Sequence, residues 1–305
     1  MRIEKNMTPE SRQPKTEETF ALQHIWKTVF GDSDEIVDKF FETYFEPQMT
    51  AVTDGEAGIA SAGYLLPVGS VRINGRRFPC AMVYAVATLP QYRGMGYATA
   101  NVRQLISMGR AAGFKASILR PSEKSLFEYY AARTPLQEWF YANERTYGIE
   151  TLTIKEETEL IPATAEEYFT LRETLLSDIP HIEFDLRALA FQEFLCHLSG
   201  GGLYRVETPG GDACAIVEKQ PDGSVWIKEL LTPPSCEPDA LSAVASKHPA
   251  HKYHVRGPVD ISACPSEDAR FGMLSVDADG ADRSVSTPKP LRTAPRAPYY
   301  GPAFD

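Results

Sequence analysis

Gln91-Tyr92-Arg93-Gly94-Met95-Gly96 lies between an apolar stretch, Cys80 to Thr88, and a segment of helical periodicity from about Tyr97 to Ala112. The start of a helix carries unpaired backbone N–H groups and a partial positive charge, which suits an anion. Gly94 and Gly96 permit close approach to the main chain, and Arg93 adds a formal charge. Neither GxGxxG nor GxxxxGK[ST] occurs, so a dinucleotide fingerprint and a P-loop are both excluded. Chemistry alone leaves two readings: a pyrophosphate cradle, or a tight turn from strand to helix.

The charge around this loop is uneven. Between Glu56 and Glu123 there is no acidic residue, while Arg72, Arg76, Arg77, Arg93, Arg103, Arg110, Lys115 and Arg120 all fall there. Such a stretch would not repel phosphate, though inner strands of a sheet also exclude acids. Residues 1–150 hold 17 basic and 17 acidic side chains, and residues 151–305 hold 14 and 24, so the net charge of −10 comes from the second half. An acidic chain whose basic stretch coincides with the phosphate loop argues against nucleic acid as a partner.

Other chemistry is weaker. Tyr129 and Tyr130 offer phenols that could donate a proton or simply pack a helix against a sheet. Glu123 and Glu229 are carboxylates that could accept one. His248, His251 and His254 recur at threes but fit neither HExxH nor a zinc-finger pair, so no metal is expected. Cys80, Cys196, Cys214, Cys236 and Cys264 form no CxxC pair and read as small buried residues. No GxSxG is present.

The elements that must position the loop can be read from periodicity and punctuation. Phe20, Leu22, Ile25 and Val29 predict a helix stopped by Gly31, and Asp32 or Ser33 can cap a second one. Strands are predicted at about 49–54, 58–66, 69–74 and 77–88, with Asn74-Gly75 as a hairpin turn. After the loop come a helix to Ala112, the strand ASILR, a short helix capped by Ser122, and LQEWFYANERTYGIE as an aromatic strand or hairpin. The second half reads as strand TLTIK, helices near 164–177 and 184–198, strands near 203–207, 212–218 and 224–231, a helix near 237–247 and the strand YHVRG. The last 25 or so residues read as extended or loop.

These motifs resemble a known family. Gln91-x-x-Gly94-x-Gly96 matches the [RQ]xxGx[GA] acyl-CoA signature of the GNAT N-acetyltransferase superfamily, and VATLPQYRGMGYAT matches its wider context. The resemblance covers about residues 17–147. It implies an α+β (mixed α/β) fold with a central, mostly antiparallel sheet flanked by helices. It also implies that Arg93, Gly94, Met95, Gly96, Tyr97 and Ala98 hold the pyrophosphate of acetyl-CoA. Val86, Ala87 and Thr88 would pair with the pantetheine arm, and no metal is involved. The family's NxxAxxxY becomes Glu123-x-x-Leu126-x-x-x-Tyr130 here, without the asparagine and alanine, and implies Tyr130 as general acid with Glu123 nearby.

The layout is further similar to bacterial two-lobed members of the enhanced-intracellular-survival group. That implies a GNAT acyl-CoA-binding domain at 17–150 and a second GNAT-like lobe without a CoA signature at 151–305. In that group the terminal carboxylate acts as a base, which implies the same for Asp305. The function so implied is direct acyl transfer from acetyl-CoA, or another short acyl-CoA, to a primary amine on a small molecule or peptide. The alternative is an acyl-CoA sensor or interaction protein without turnover. No stretch approaches the ~20 apolar residues of a membrane span, and the polar N-terminus lacks a signal peptide's apolar run, so a cytoplasmic location is expected.

Overall fold

The computed structural model describes residues 9–155, 158–259, 269–276 and 297–305. The chain resolves into two compact units interleaved in sequence. Unit one takes residues up to Pro67, Phe78–Glu138 and the segment from Met273; unit two takes Val68–Arg77, Trp139–Gly272 and the C-terminal residues.

In chain order the elements of unit one are β1 (Ser11–Arg12), α1 (Thr19–Phe30), α2 (Asp34–Tyr44), β2 (Thr50–Gly55), the first part of β3 (Gly58–Ile73), β4 (Arg76–Thr88), α3 (Tyr97–Ala111), β5 (Ala116–Leu119) and α4 (Ser125–Arg133). Gly31 ends α1 in the left-handed conformation, and the Ser33 hydroxyl caps α2 by accepting from the Ile36 amide at 3.4 Å. The strand order is β1-β2-β3-β4-β5, continuing through β14 (Arg270–Val276) to β6 (Gln137–Tyr141). β4 and β5 run parallel with α3 as their crossover, while β1–β2, β2–β3 and β5–β14 are antiparallel. Leu65, Ala81, Val83, Val102, Leu105, Ile106, Leu119, Phe127 and Met273 build the core between sheet and helices.

Unit two holds β7 (Asn143–Gly148), β8 (Glu159–Pro162), α5 (Ala165–Leu175), β9 (His181–Phe184), α6 (Leu186–Leu198), β10 (Gly202–Glu207), β11 (Ala213–Lys219), β12 (Val225–Leu231), α7 (Glu237–Lys247) and β13 (Lys252–Gly257). Its sheet runs β7-β13-β12-β11-β10-β8, with β12 and β13 parallel and the other neighbours antiparallel. Val206, Ala215, Val217, Ile227, Val244 and Tyr253 form its core. The α+β class expected from the sequence is the one observed.

Several local expectations are corrected. The two strands predicted at 58–66 and 69–74 are one, β3, because Gly69 adopts φ +126° and passes the Glu183 carbonyl so closely that a Cβ would lie 2.0 Å from it. That outer part of β3 pairs with β9. The Asn74-Gly75 turn does join β3 to β4, with φ +49° and +77°. LQEWFYANERTYGIE, read as a strand or a hairpin, forms strands, β6 and β7, but no hairpin, since β7 pairs with β13. TLTIK is not a strand. α4 starts at Ser125 after Lys124, so Ser122 does not cap it. The reading of the last residues falls partly outside the described residues.

Candidate functional site

The site in unit one begins where β4 leaves its partner. The parallel register with β5 runs from Cys80–Ala116 to Val83–Leu119 and stops there. Ala85, two residues on, adopts φ +46°, a conformation that costs a residue with a Cβ of order 1 kcal/mol. The main chain therefore bends away, and Tyr84, Ala85 and Val86 become half-buried after the buried run Cys80–Val83. Ala87 is buried, and Thr88 is half-buried. Trp26 and Phe40, from α1 and α2, set their rings 5.9 and 5.8 Å from that of Tyr84 and so support the strand just before the bend.

The loop beyond Thr88 is held at both ends. Arg93 Nε donates to the Thr88 carbonyl at 3.3 Å, drawing the turn back onto β4. Tyr92 packs its ring over Gly55, where a Cβ would meet the ring at 2.5 Å, and its hydroxyl accepts from the Glu56 amide at 3.2 Å. Gly94 and Gly96 both adopt left-handed φ, +79° and +84°, which only glycine tolerates cheaply. Gln91, Arg93, Gly94 and Met95 are exposed, and Gly96, Tyr97 and Ala98 half-buried.

Gly96 is the N-cap of α3 and makes no side-chain cap. The helical ladder starts with the Ala100 amide donating to the Gly96 carbonyl at 3.0 Å, so the amides before it point out of the helix end. No acid lies in the first turn. A Cβ on Gly94 would meet nothing within 4 Å, and one on Gly96 would meet only Pro9 at 3.7 Å. An open rim of outward amides is the geometry that suits a pyrophosphate.

α4 separates the two phenols. The Tyr129 hydroxyl is 2.7 Å from Thr99 Oγ1, and Arg133 lies 4.5 Å over its ring, so Tyr129 ties α4 to α3. Tyr130 points into the core that contains Val83 and against which Val86 packs. Burial, with a smaller contribution from Tyr129, pushes its phenol up to about 12. A phenol so held stays protonated at neutral pH and can donate. Glu123 is exposed ahead of α4 and accepts from Ser125 Oγ at 2.8 Å.

Other sequence candidates belong to unit two. Asp305 takes two bonds from Arg256, Nη1 to Oδ1 at 3.1 Å and Nη2 to Oδ2 at 2.9 Å, and Lys228 donates to its main-chain oxygen. Glu229, read from the sequence as a carboxylate that could accept a proton, is fully buried: it accepts from Arg172 Nε and from the Tyr168 hydroxyl, each at 2.9 Å. Arg72 and Arg77, counted with the phosphate-friendly stretch, are bound to Glu183. His248 is buried against the Tyr204 hydroxyl at 2.9 Å, and burial lowers it to about 4. Among the described residues no cluster of His, Cys, Asp or Glu is placed to hold a metal, and no helix is long and apolar enough to cross a membrane. The four described cysteines are free and buried.

Sequence reasoning missed Asn101 and Ser61. Asn101 is fully buried on α3 and bonded to Ser11, Thr53 and Ser61. A carboxamide on the apolar stripe of that helix was the available signal.

The profile of the acetyltransferase (GNAT) domain matches residues 10–132. No curated protein matches the sequence significantly. Among solved structures, a GCN5-related N-acetyltransferase from Anabaena variabilis superposes with TM-score 0.64 at 17% identity, covering 87% of this chain and 72% of its own. A GCN5-related N-acetyltransferase from Kribbella flavida gives 0.60 at 16%, with 88% and 71% covered. Eis1 from Mycobacterium abscessus gives 0.56 at 11%, with 88% and 73% covered. At these identities the structures establish a shared fold, and the two-lobed layout of the Eis type is consistent with it. The profile match assigns an acetyltransferase (GNAT) domain to residues 10–132, the stretch that contains the strand–loop–helix geometry described above.

Proposed function

We propose that the protein transfers an acetyl or other short acyl group from acyl-CoA directly to a primary amine. The observation that carries this reading is the uncapped, acid-free start of α3 behind Gly94 and Gly96, reached from a strand that has left its neighbour at Val83. Backbone amides from Arg93 to Ala98 would hold the pyrophosphate, with the macrodipole of α3 behind them. The freed edge of β4 at Val86, Ala87 and Thr88 would pair with the pantetheine arm, as an added strand pairs with a sheet.

Transfer forms an amide C–N bond and breaks the thioester C–S bond. The amine loses one proton, and the departing thiolate gains one. Tyr130, protonated because it is buried, supplies the second. A carboxylate accepts the first, and Glu123 is the better candidate. Both Asp305 carboxylate oxygens are already bonded by the Arg256 guanidinium. Holding amine and thioester together supplies much of the acceleration without any protein nucleophile.

Calorimetry with acetyl-CoA on the wild type and on Gly96→Glu tests the cradle; equal affinity in the two would refute it. Thiol release over a panel of small amines and lysine peptides tests turnover. Binding without amine-stimulated release would leave a sensor. Tyr130→Phe should bind acetyl-CoA normally and lose about 100-fold in kcat; a wild-type rate removes the general-acid role.

A further inference from the structure

The polar interior of unit one contains one chain of bonds that the proposed acyl transfer does not use. Asn101 lies one turn beyond Tyr97, on the face of α3 turned to the sheet. Its Oδ1 accepts from Ser11 Oγ at 2.7 Å and from Thr53 Oγ1 at 2.8 Å. Its Nδ2 donates to Ser61 Oγ at 3.0 Å. The Ser61 hydroxyl in turn donates to the Ala87 carbonyl at 2.7 Å and lies 2.9 Å from Thr88 Oγ1. Both Asn101 and Ser61 are fully buried.

Filling space does not account for this choice. A buried carboxamide without partners costs a few kcal/mol, and when fully bonded it roughly breaks even. Leucine at position 101 would favour the helix and bury apolar surface at no such risk. What asparagine adds is direction. Its three bonds fix the rotation and height of α3 against β1, β2 and β3, and through Ser61 against the last residues of β4. The phosphate loop stands at one end of this chain and Ala87-Thr88 at the other.

We infer that Asn101 and Ser61 are positioning residues that set the distance between the nucleotide-holding and acyl-holding halves of the acyl-CoA site. The inference rests on the proposed acyl-CoA reading. A two-part ligand gains affinity when both parts are seated at once, and it loses that gain when the halves are misaligned. Loosening the chain should therefore leave the grip on the nucleotide alone and weaken the grip on the whole.

The test is calorimetry on the full chain with two probes, acetyl-CoA and 3′-phospho-ADP, the nucleotide half without pantetheine. Ser61→Ala and Asn101→Leu should each bind 3′-phospho-ADP within about twofold of wild type and lose about tenfold toward acetyl-CoA. The double variant should be no worse than the weaker single one, since both cut the same chain. Thermal melts check folding, and if Asn101→Leu fails to fold, Ser61→Ala decides alone. Unchanged acetyl-CoA affinity in folded variants, or equal losses toward both probes, overturns the inference while the acyl-CoA reading stands. Failure of the wild type to bind acetyl-CoA overturns both.

Discussion

The two units each contain a strand, a crossover helix and a parallel strand: β4-α3-β5 in unit one and β12-α7-β13 in unit two. Both entering strands are irregular near the end of the parallel pairing, each in its own way. β4 bends at Ala85, and β12 shifts register so that Lys228 has no partner on β11 between Ile227 and Glu229. Both parallel pairings then stop, at Val83 and at Ile227. The units part company at the turn into the helix. Unit one passes through Gly94 and Gly96 into a helix start with no acid and no side-chain cap. α7 instead opens with Glu237 and Asp239 in its first turn, and these are bound by Arg145, Tyr147 and Lys155. The freed end of β12 is also taken, since Gly301 lies against Arg172 and Glu229 and Asp305 against Lys228. A crossover alone therefore does not leave a helix end open: the start of α3 carries no carboxylate of its own, whereas that of α7 carries two.

Unit two has turned its charges inward for stability, and this can be broken most visibly at Glu229. Glu229→Gln leaves Arg172 buried beside a neutral amide and should cost about 3–5 kcal/mol in denaturant unfolding. A loss under about 1 kcal/mol would mean the pair is dispensable. Next, unit one can be made to resemble unit two. Ala98→Glu places a carboxylate in the first turn of α3, where it suits the helix dipole. Melting temperature should hold or rise while acetyl-CoA affinity falls about 30-fold; unaltered affinity would show that the first turn does not face the ligand.

His248 sharpens the contrast through pH. Its folded pKa, about 4, lies below the ordinary value near 6.5, so the unfolded chain binds more protons between these limits. Stability is thus full above pH 6.5 and falls as the pH drops toward 4. His248→Leu should flatten that slope in urea titrations at about pH 7 and pH 4.5, and an unchanged slope would assign it elsewhere. The smallest effect is expected at Gly55. Gly55→Ala pushes the Tyr92 ring off its seat and should weaken acetyl-CoA binding about threefold without altering the fold, a change on the order of 0.6 kcal/mol. No change would mean the ring yields without moving the loop.

The glycine loop between β4 and α3 was legible because its parts are local. Glycines, a preceding strand and a following helix lie within about thirty residues, and each obeys a backbone rule. The helices with clear caps or stops, α1 and α2, were equally plain. β3 reads as two strands because Pro67 and Gly69 are ordinary breakers; only the nearness of the Glu183 carbonyl shows why a glycine continues the strand there. β6 and β7 resemble a hairpin because sequence cannot say that adjacent strands join different partners. The bend at Ala85 carries no signal, since alanine has no preference for φ +46°. Asn101 stands out in the sequence only as a carboxamide on an apolar stripe, and its role does not: its partners, Ser11, Thr53 and Ser61, are far apart in the chain and meet only once the sheet has formed.

The passage of β3 from one unit into the other has a practical consequence for anyone who would cut this chain. A fragment that stops before residue 160 would keep β5 but lose β14, leaving a buried strand, Ala116–Leu119, as a raw edge open to other molecules. The same fragment would carry residues 69–72 without β9 to receive them. During synthesis, too, unit one waits for β14, made some 150 residues after β5, before its sheet can close. Neither half can be borrowed as a module, and a shortened gene would produce aggregates before it produced a smaller folded protein.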